Sequence, residues 1–184
     1  MPPIYTPEIP DLGRPCPDFN LLSTEEKKFS LKDFVNGKPL VIMFICNHCP
    51  YVKAIEDRLI QLGHDLKSRN MNVVAICSND SESYPEDSFE NLQKRAREKK
   101  YPFPYLHDAD QSVAQKFGAV CTPDFFVYDT QNKLAYRGRL DDSWKEATQV
   151  KVRELFEATL ELAQNKNISR TQTPSMGCSI KWKK

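Results

Sequence analysis

Cys46 and Cys49 stand two residues apart in the run Leu40-Val41-Ile42-Met43-Phe44-Ile45-Cys46-Asn47-His48-Cys49-Pro50. Two thiols at this spacing can close a short disulfide and reopen it, provided that one of them ionises readily. The flanking pattern supplies a reason for ionisation. Six apolar residues, 40–45, read as a strand buried on both faces. Immediately afterwards Val52, Ile55, Leu59, Leu62 and Leu66 recur at spacings of three and four, the pattern of an amphipathic helix. With Asn47 as the cap, Pro50 falls in the first turn, where a missing N–H costs little. The positive end of the helix then points at Cys46 and favours a thiolate there, and His48 between the sulfurs adds positive charge. On this reading Cys46 is the nucleophile and Cys49 the partner that closes the disulfide.

The elements that position this pair belong to a chain of 184 residues, enough for one domain with a substantial core. Hydrophobic residues make up 40% and charged residues 28%, the balance of a globular protein. A net charge of +1 argues against bulk electrostatic attraction to nucleic acid or to an anionic membrane. No apolar run reaches the length of a membrane span, and the start Met1-Pro2-Pro3-Ile4-Tyr5-Thr6-Pro7 has no basic or apolar signal region, so a cytoplasmic location is expected. The six cysteines are then expected to be mostly reduced. Only one pair is closely spaced, and His64 and His107 lie in unrelated contexts, so neither a structural metal nor an organic cofactor is expected.

Four prolines mark residues 1–12 as an extended arm. Asp18-Phe19-Asn20-Leu21-Leu22 and Lys28-Phe29-Ser30-Leu31 read as a hairpin, and Asn36-Gly37-Lys38-Pro39 breaks the chain before the central strand. Residues 72–77 form a second branched, apolar strand. The order strand, helix, strand predicts a right-handed crossover and parallel pairing, which places Ser78-Asn79-Asp80 on the same side of the sheet as Cys46. A charged helix over 86–100 is read as a solvated face. Residues 101–106 read as an extended connector, and 110–117 as a short helix stopped by Gly118. Thr122-Pro123 leads into a strand, Phe125-Phe126-Val127-Tyr128, which pairs with Leu134-Ala135-Tyr136-Arg137. A last helix covers 147–164, and a basic tail, 165–184, carries Cys178 and Trp182.

This layout resembles the thioredoxin superfamily over residues 13–164. The segments Gly13-Arg14-Pro15-Cys16-Pro17-Asp18-Phe19, Phe29-Ser30-Leu31-Lys32-Asp33-Phe34 and Gly37-Lys38-Pro39 resemble its redoxin branch, which groups peroxiredoxins with thiol reductases of the cytochrome-maturation type. Cys46-Asn47-His48-Cys49 stands where that fold keeps its redox pair. Thr122-Pro123 is similar to the family's cis-proline segment, which faces the cysteines and holds a substrate chain by backbone hydrogen bonds. Gly177-Cys178-Ser179-Ile180-Lys181-Trp182 resembles the end of a peroxiredoxin-like subgroup. The resemblance implies an α/β fold, thioredoxin-like, with a central mixed sheet flanked by helices and an N-terminal hairpin extension. It also implies a thiol–disulfide oxidoreductase working through Cys46 and Cys49. Its partners would be a protein or small-molecule disulfide and a reducing or oxidising thiol carrier. A histidine inside the pair resembles protein disulfide isomerase and would shift the poise toward oxidation.

Two departures from the family pattern open further questions. Thioredoxin keeps a buried acid in the strand before its pair, whereas residues 40–45 contain none, which leaves Asp80 and Asp124 as proton-relay candidates by position. Peroxiredoxins carry Pro-x-x-x-Thr-x-x-Cys. Aligned on Cys49, this chain has Ile42 and Cys46 in place of the proline and threonine. A thiol peroxidase with Cys49 as the attacking sulfur is therefore an alternative, with Arg137 or Arg139 supplying charge, and a non-catalytic binding module is a third reading. Cys121, two residues before Pro123, and Cys178, on the tail, are candidates for a third redox thiol. Cys77 reads as a core residue, and Cys16 has no evident partner.

Overall fold

The computed structural model describes residues 2–184. In chain order the elements are β1 (Ile4–Tyr5), β2 (Asn20–Ser23), β3 (Lys28–Ser30), β4 (Leu40–Phe44), α1 (Pro50–Ser68), β5 (Asn72–Cys77), α2 (Phe89–Lys99), β6 (Tyr105–His107), α3 (Ser112–Phe117), β7 (Cys121–Thr122), β8 (Asp124–Tyr128), β9 (Leu134–Tyr136), α4 (Glu154–Ala163) and β10 (Met176–Ser179). The uninterrupted apolar run becomes β4, which pairs in parallel with β5 and antiparallel with β8. Alternation along the strand sends Val41 and Met43 into the core that contains α1 and α4 side chains. Leu40, Ile42 and Phe44 enter a second core with Phe117 and Phe126. Both faces are covered, so neither face of the strand needs a polar residue. The main sheet runs β3-β2-β6-β5-β4-β8-β9, and the N-terminal hairpin joins it through β2 and β6.

Three local boundaries differ from the sequence-based expectation. Residues 105–107 form a strand because β6 is paired on both edges, to β5 and to β2. The charged helix starts at Phe89 and is preceded by a 3-10 turn at Pro85–Asp87, since Ser88 caps α2 by accepting the Asn91 N–H. The last helix starts at Glu154 because the Asp142 carboxylate accepts the N–H groups of Lys151 and Val152, holding that stretch out of the helix.

The two ends lie together against the domain. β10 lies between β1 and β7 in a small antiparallel sheet. Thr6 and Ser175 exchange two hydrogen bonds of 2.9 Å, and the Asp80 N–H donates to the Lys181 carbonyl oxygen at 2.8 Å. The segments read as an extended arm and a basic tail are therefore built into the structure beside Thr122. Among the described residues no helix is long and apolar enough to cross a membrane.

Helix α1 packs tightly at Gly63, where an added Cβ would stand 2.6 Å from both Phe103 and Pro102. Both neighbours are rigid rings. Gly63→Ala is expected to destabilise the fold by about 1–3 kcal/mol in urea unfolding, the cost of overpacking exceeding the helix-propensity gain of alanine.

Candidate active site

The chain leaves β4 at Phe44, and the two sulfurs follow in the loop before α1. The cap of α1 is Cys49, with Pro50 at the first helical position, and not Asn47 as the sequence suggested. Asn47 is committed elsewhere. Its side-chain amide donates to the carbonyl oxygens of Glu86 and Asn91, both at 3.0 Å, and its backbone N–H donates to Asp87 at 2.7 Å. The head of the helix therefore points at Cys49. Thr122 touches both sulfurs: its hydroxyl lies 3.3 Å from Cys46 Sγ, and its carbonyl oxygen accepts the protonated Cys49 thiol at 3.1 Å. The Thr122-Pro123 peptide is cis, as the resemblance implied. Cys46 is 2% exposed and Cys49 0%.

The two thiols do not ionise alike. Cys49 is held well below the ordinary thiol range, chiefly because the Cys46 S–H donates to it; burial opposes this, while the backbone N–H groups of Val52 and Cys178 and the Thr122 hydroxyl add to it. Cys46 is pushed well up by giving that hydrogen bond to Cys49, then by burial and by the negative charge of Asp87. The two ionisations are thus pushed apart, downward at Cys49 and upward at Cys46. The reason is positional: α1 starts one residue after Cys49, whereas Cys46 faces a carboxylate.

That carboxylate supplies the buried acid missing from β4. Asp87 is 0% exposed and accepts from the Asn47 N–H, from Asn79 Nδ2 at 2.8 Å and from the His48 backbone N–H at 3.3 Å. Its other close contact is His48 Nδ1 at 2.5 Å. Hydrogen bonding to Asp87 raises the His48 pKa, and the pairing with His48 and Asn79 lowers that of Asp87 despite its burial. The His48 ring, 17% exposed, stacks on Tyr84. Sequence reasoning placed Asp87 on a solvated helix. The usable signal was Tyr84-Pro85-Glu86-Asp87-Ser88, a turn sequence just beyond the end of the strand that neighbours β4.

The other candidates are placed as follows. Asp80 accepts the Glu82 N–H within its own loop, and Asp124 is wholly buried against Arg137 at 2.9 Å, so neither has its carboxylate committed to the pair. Arg139 is held by Glu154 through bonds of 2.7 and 2.9 Å. Arg137 and Arg139, named as possible sources of charge for the sulfurs, are thus each paired with an acid of its own. Cys121 is buried with its S–H on the Pro123 carbonyl oxygen at 3.5 Å, and burial, then the charge of Asp124, pushes its ionisation up. Burial likewise suppresses ionisation at Cys77, and it pushes Cys16 up to about 12. Cys178, by contrast, lies across from Thr122 in the β10 ladder and packs against the cluster that contains Cys46 and Cys49. The backbone edge that the resemblance reserves for a substrate chain is occupied here by β10.

Donor atoms of Cys46, His48 and Asp87 lie within 4.8 Å of one another, a set of the kind that holds zinc. In the present arrangement the imidazole and carboxylate are bonded to each other. On the outer side of Pro123 and Met176 lies a cavity of about 400 Å³, walled largely by apolar groups that include Tyr51 and Trp144.

A mixed sheet flanked by helices, with two sulfurs at a helix head facing a Thr-cis-Pro segment, defines a thioredoxin-fold dithiol protein. The thioredoxin domain of a thiol-disulfide oxidoreductase from Bacteroides vulgatus has the same fold, with a TM-score of 0.64 over 84% of this chain and 99% of that one at 14% identity. Residues 12–137 match the AhpC/TSA family, and the chain belongs to it. An uncharacterized conserved protein from Geobacillus kaustophilus is 43% identical, with a TM-score of 0.92 over 100% of this chain and 97% of that one. The thiol:disulfide interchange protein DsbE of Tatumella citrea is 25% identical over 75% of this chain and 72% of its own length.

Proposed function

We propose that this protein is a thiol–disulfide oxidoreductase whose redox pair is Cys46 and Cys49. The observation that carries the reading is geometric: two buried cysteines at the head of α1 meet the same Thr122 before a cis-proline, Cys46 Sγ 3.3 Å from its hydroxyl and Cys49 Sγ 3.1 Å from its carbonyl oxygen. The kinship to a thiol:disulfide interchange protein supports the same chemistry. The Cys49 thiolate attacks a disulfide sulfur, a mixed disulfide forms, and the first substrate thiolate departs with the proton that Cys46 releases. Cys46 then attacks the Cys49 sulfur, expelling the second thiolate and closing the Cys46–Cys49 disulfide. A dithiol carrier returns the pair to the reduced state. A protein or small-molecule disulfide fits this chemistry, and we place it in the cytoplasm.

A redox titration in glutathione buffers with peptide mapping tests the assignment. A Cys46–Cys49 disulfide that forms reversibly, together with reduction of insulin disulfides, is the expected result. Absence of both across the physiological range of glutathione potentials would leave only a binding module on this fold.

The charge on Cys49, together with membership of the AhpC/TSA family, favours a second reading, a thiol peroxidase. Stopped-flow peroxide consumption separates the two. Rapid consumption that survives Cys46→Ser but not Cys49→Ser belongs to the peroxidase.

A further inference from the structure

Neither sulfur of the pair reaches solvent, yet disulfide exchange needs an in-line approach to one of them. β10 lies along the segment that faces them. Cys178 lies opposite Thr122 and Ser179 opposite Cys121. The approach is so close that a Cβ on Gly177 would stand 2.0 Å from the Thr122 carbonyl oxygen. The strand is fastened on both sides of Cys178. Before it, Ser175 Oγ donates to the Pro123 carbonyl oxygen at 2.9 Å and Gly177 pairs with Ile4. After it, the Ile180 N–H donates to Val120 at 3.2 Å and the Lys181 N–H to Asn79 Oδ1 at 2.9 Å. The Lys181 carbonyl oxygen accepts from Gln111 at 2.7 Å. This anchoring holds Cys178 opposite Thr122, whose carbonyl oxygen is 3.1 Å from Cys49 Sγ, and packs it against the cluster that contains Cys46 and Cys49. Of these three thiols only Cys178 is partly exposed.

From this arrangement we infer that Cys178 is a third redox thiol, the port through which the buried pair exchanges disulfides with its partners. The inference rests on the oxidoreductase reading. At rest Cys178 is protonated, pushed up to about 11 by burial and by donation to the Cys49 thiolate, and Lys181 partly offsets this. An incoming disulfide first meets Cys178. The Cys178 proton passes to solvent as its sulfur attacks, and one substrate thiolate leaves and takes a proton from solvent. Cys49, ionised throughout, then attacks the Cys178 sulfur, expels the second substrate thiolate and leaves a Cys49–Cys178 disulfide. Cys46 then attacks Cys49, and its proton passes to the Cys178 thiolate that is released. The pair ends oxidised, one substrate disulfide has become two thiols, and no further oxidant is consumed. Reduction by a dithiol carrier follows the same steps in reverse, beginning at Cys178.

Two variants test the port. In Cys46→Ser the last step is blocked, so treatment with oxidised glutathione should accumulate a Cys49–Cys178 disulfide in non-reducing peptide maps. A map showing only glutathione on Cys49, with Cys178 free, would overturn the proposal. In Cys178→Ser, diamide should still close the Cys46–Cys49 disulfide, while insulin reduction should fall by about tenfold or more, since the intramolecular route is lost. An unchanged rate would remove Cys178 from the pathway, and a faster one would make β10 a cover instead of a port. Wild-type protein that neither reduces insulin nor forms the Cys46–Cys49 bond would instead refute the oxidoreductase reading itself.

Discussion

Cys49→Ser is expected to lower insulin-disulfide reduction by on the order of 10³-fold or more, because it removes the sulfur at the head of α1, the one whose ionisation is pushed downward. Serine can keep the helix-cap position, so the loss is chemical and not a loss of fold. The companion variant, Cys46→Ser, should differ in kind. It retains Cys49 but not the sulfur that closes the pair, so Cys49 should be trapped in a disulfide with Cys178, visible in non-reducing peptide maps, where Cys49→Ser traps none. This is the reverse of what the order of the two cysteines along the chain suggests. Thiolate absorbance near 240 nm provides an independent check. Wild-type protein should show one thiolate persisting well below the ordinary thiol range, and Cys46→Ala should raise that ionisation, because the S–H donor to Cys49 is gone. Persistent low-pH ionisation at Cys46 in a Cys49→Ser protein would contradict the arrangement.

Asp87→Asn should combine the largest loss of stability with a changed pH profile. Asp87 is fully buried and collects His48, Asn79 and the Asn47 N–H. An amide in its place offers one acceptor where the carboxylate offered two, and its N–H₂ faces donors. Breaking one side of a buried ionic pair costs about 3–5 kcal/mol. The sign of the pH dependence follows from both partners. The folded His48 pKa is raised above 6.5, so its contribution is full below 6.5 and is lost as pH rises through the folded value. The folded Asp87 pKa is lowered below 3.8, so its contribution is full above 3.8 and is lost as pH falls through the folded value. The gap between wild type and variant in urea unfolding should therefore be widest between those two ordinary values and narrow on either side. A gap independent of pH would mean that His48 and Asp87 are not paired as charges. Loss of the carboxylate should also make Cys46 easier to ionise, since Asp87 opposes its charge, and iodoacetamide should modify Cys46 faster in the variant.

How much of this was legible follows the range of the interactions involved. The central strand, the amphipathic helix and the parallel crossover were readable because each rests on a local pattern: an uninterrupted apolar run, a three-four spacing, a strand of branched residues soon afterwards. β6 was missed for the opposite reason. Tyr105, Leu106 and His107 follow two prolines in a connector-like stretch and become a strand only because β2 and β5 lie on either side. Asp80, Asp124, Arg137 and Arg139 were chosen by position along the chain, and each proved to have a commitment of its own.

The cysteine spacing at a strand-to-helix junction, with Thr122-Pro123 before another strand, was enough on its own to indicate a dithiol on a thioredoxin-like sheet. The tertiary structure alone decided which sulfur stands at the head of α1, which acid stands beside the pair and which strand lies over it. Those outcomes depend on contacts across 73 residues between Cys49 and Thr122 and across 39 between His48 and Asp87. Ionisation responds to the donors and charges within a few ångströms of an atom, and the chain order of residues does not fix which groups those are until the backbone has closed around them.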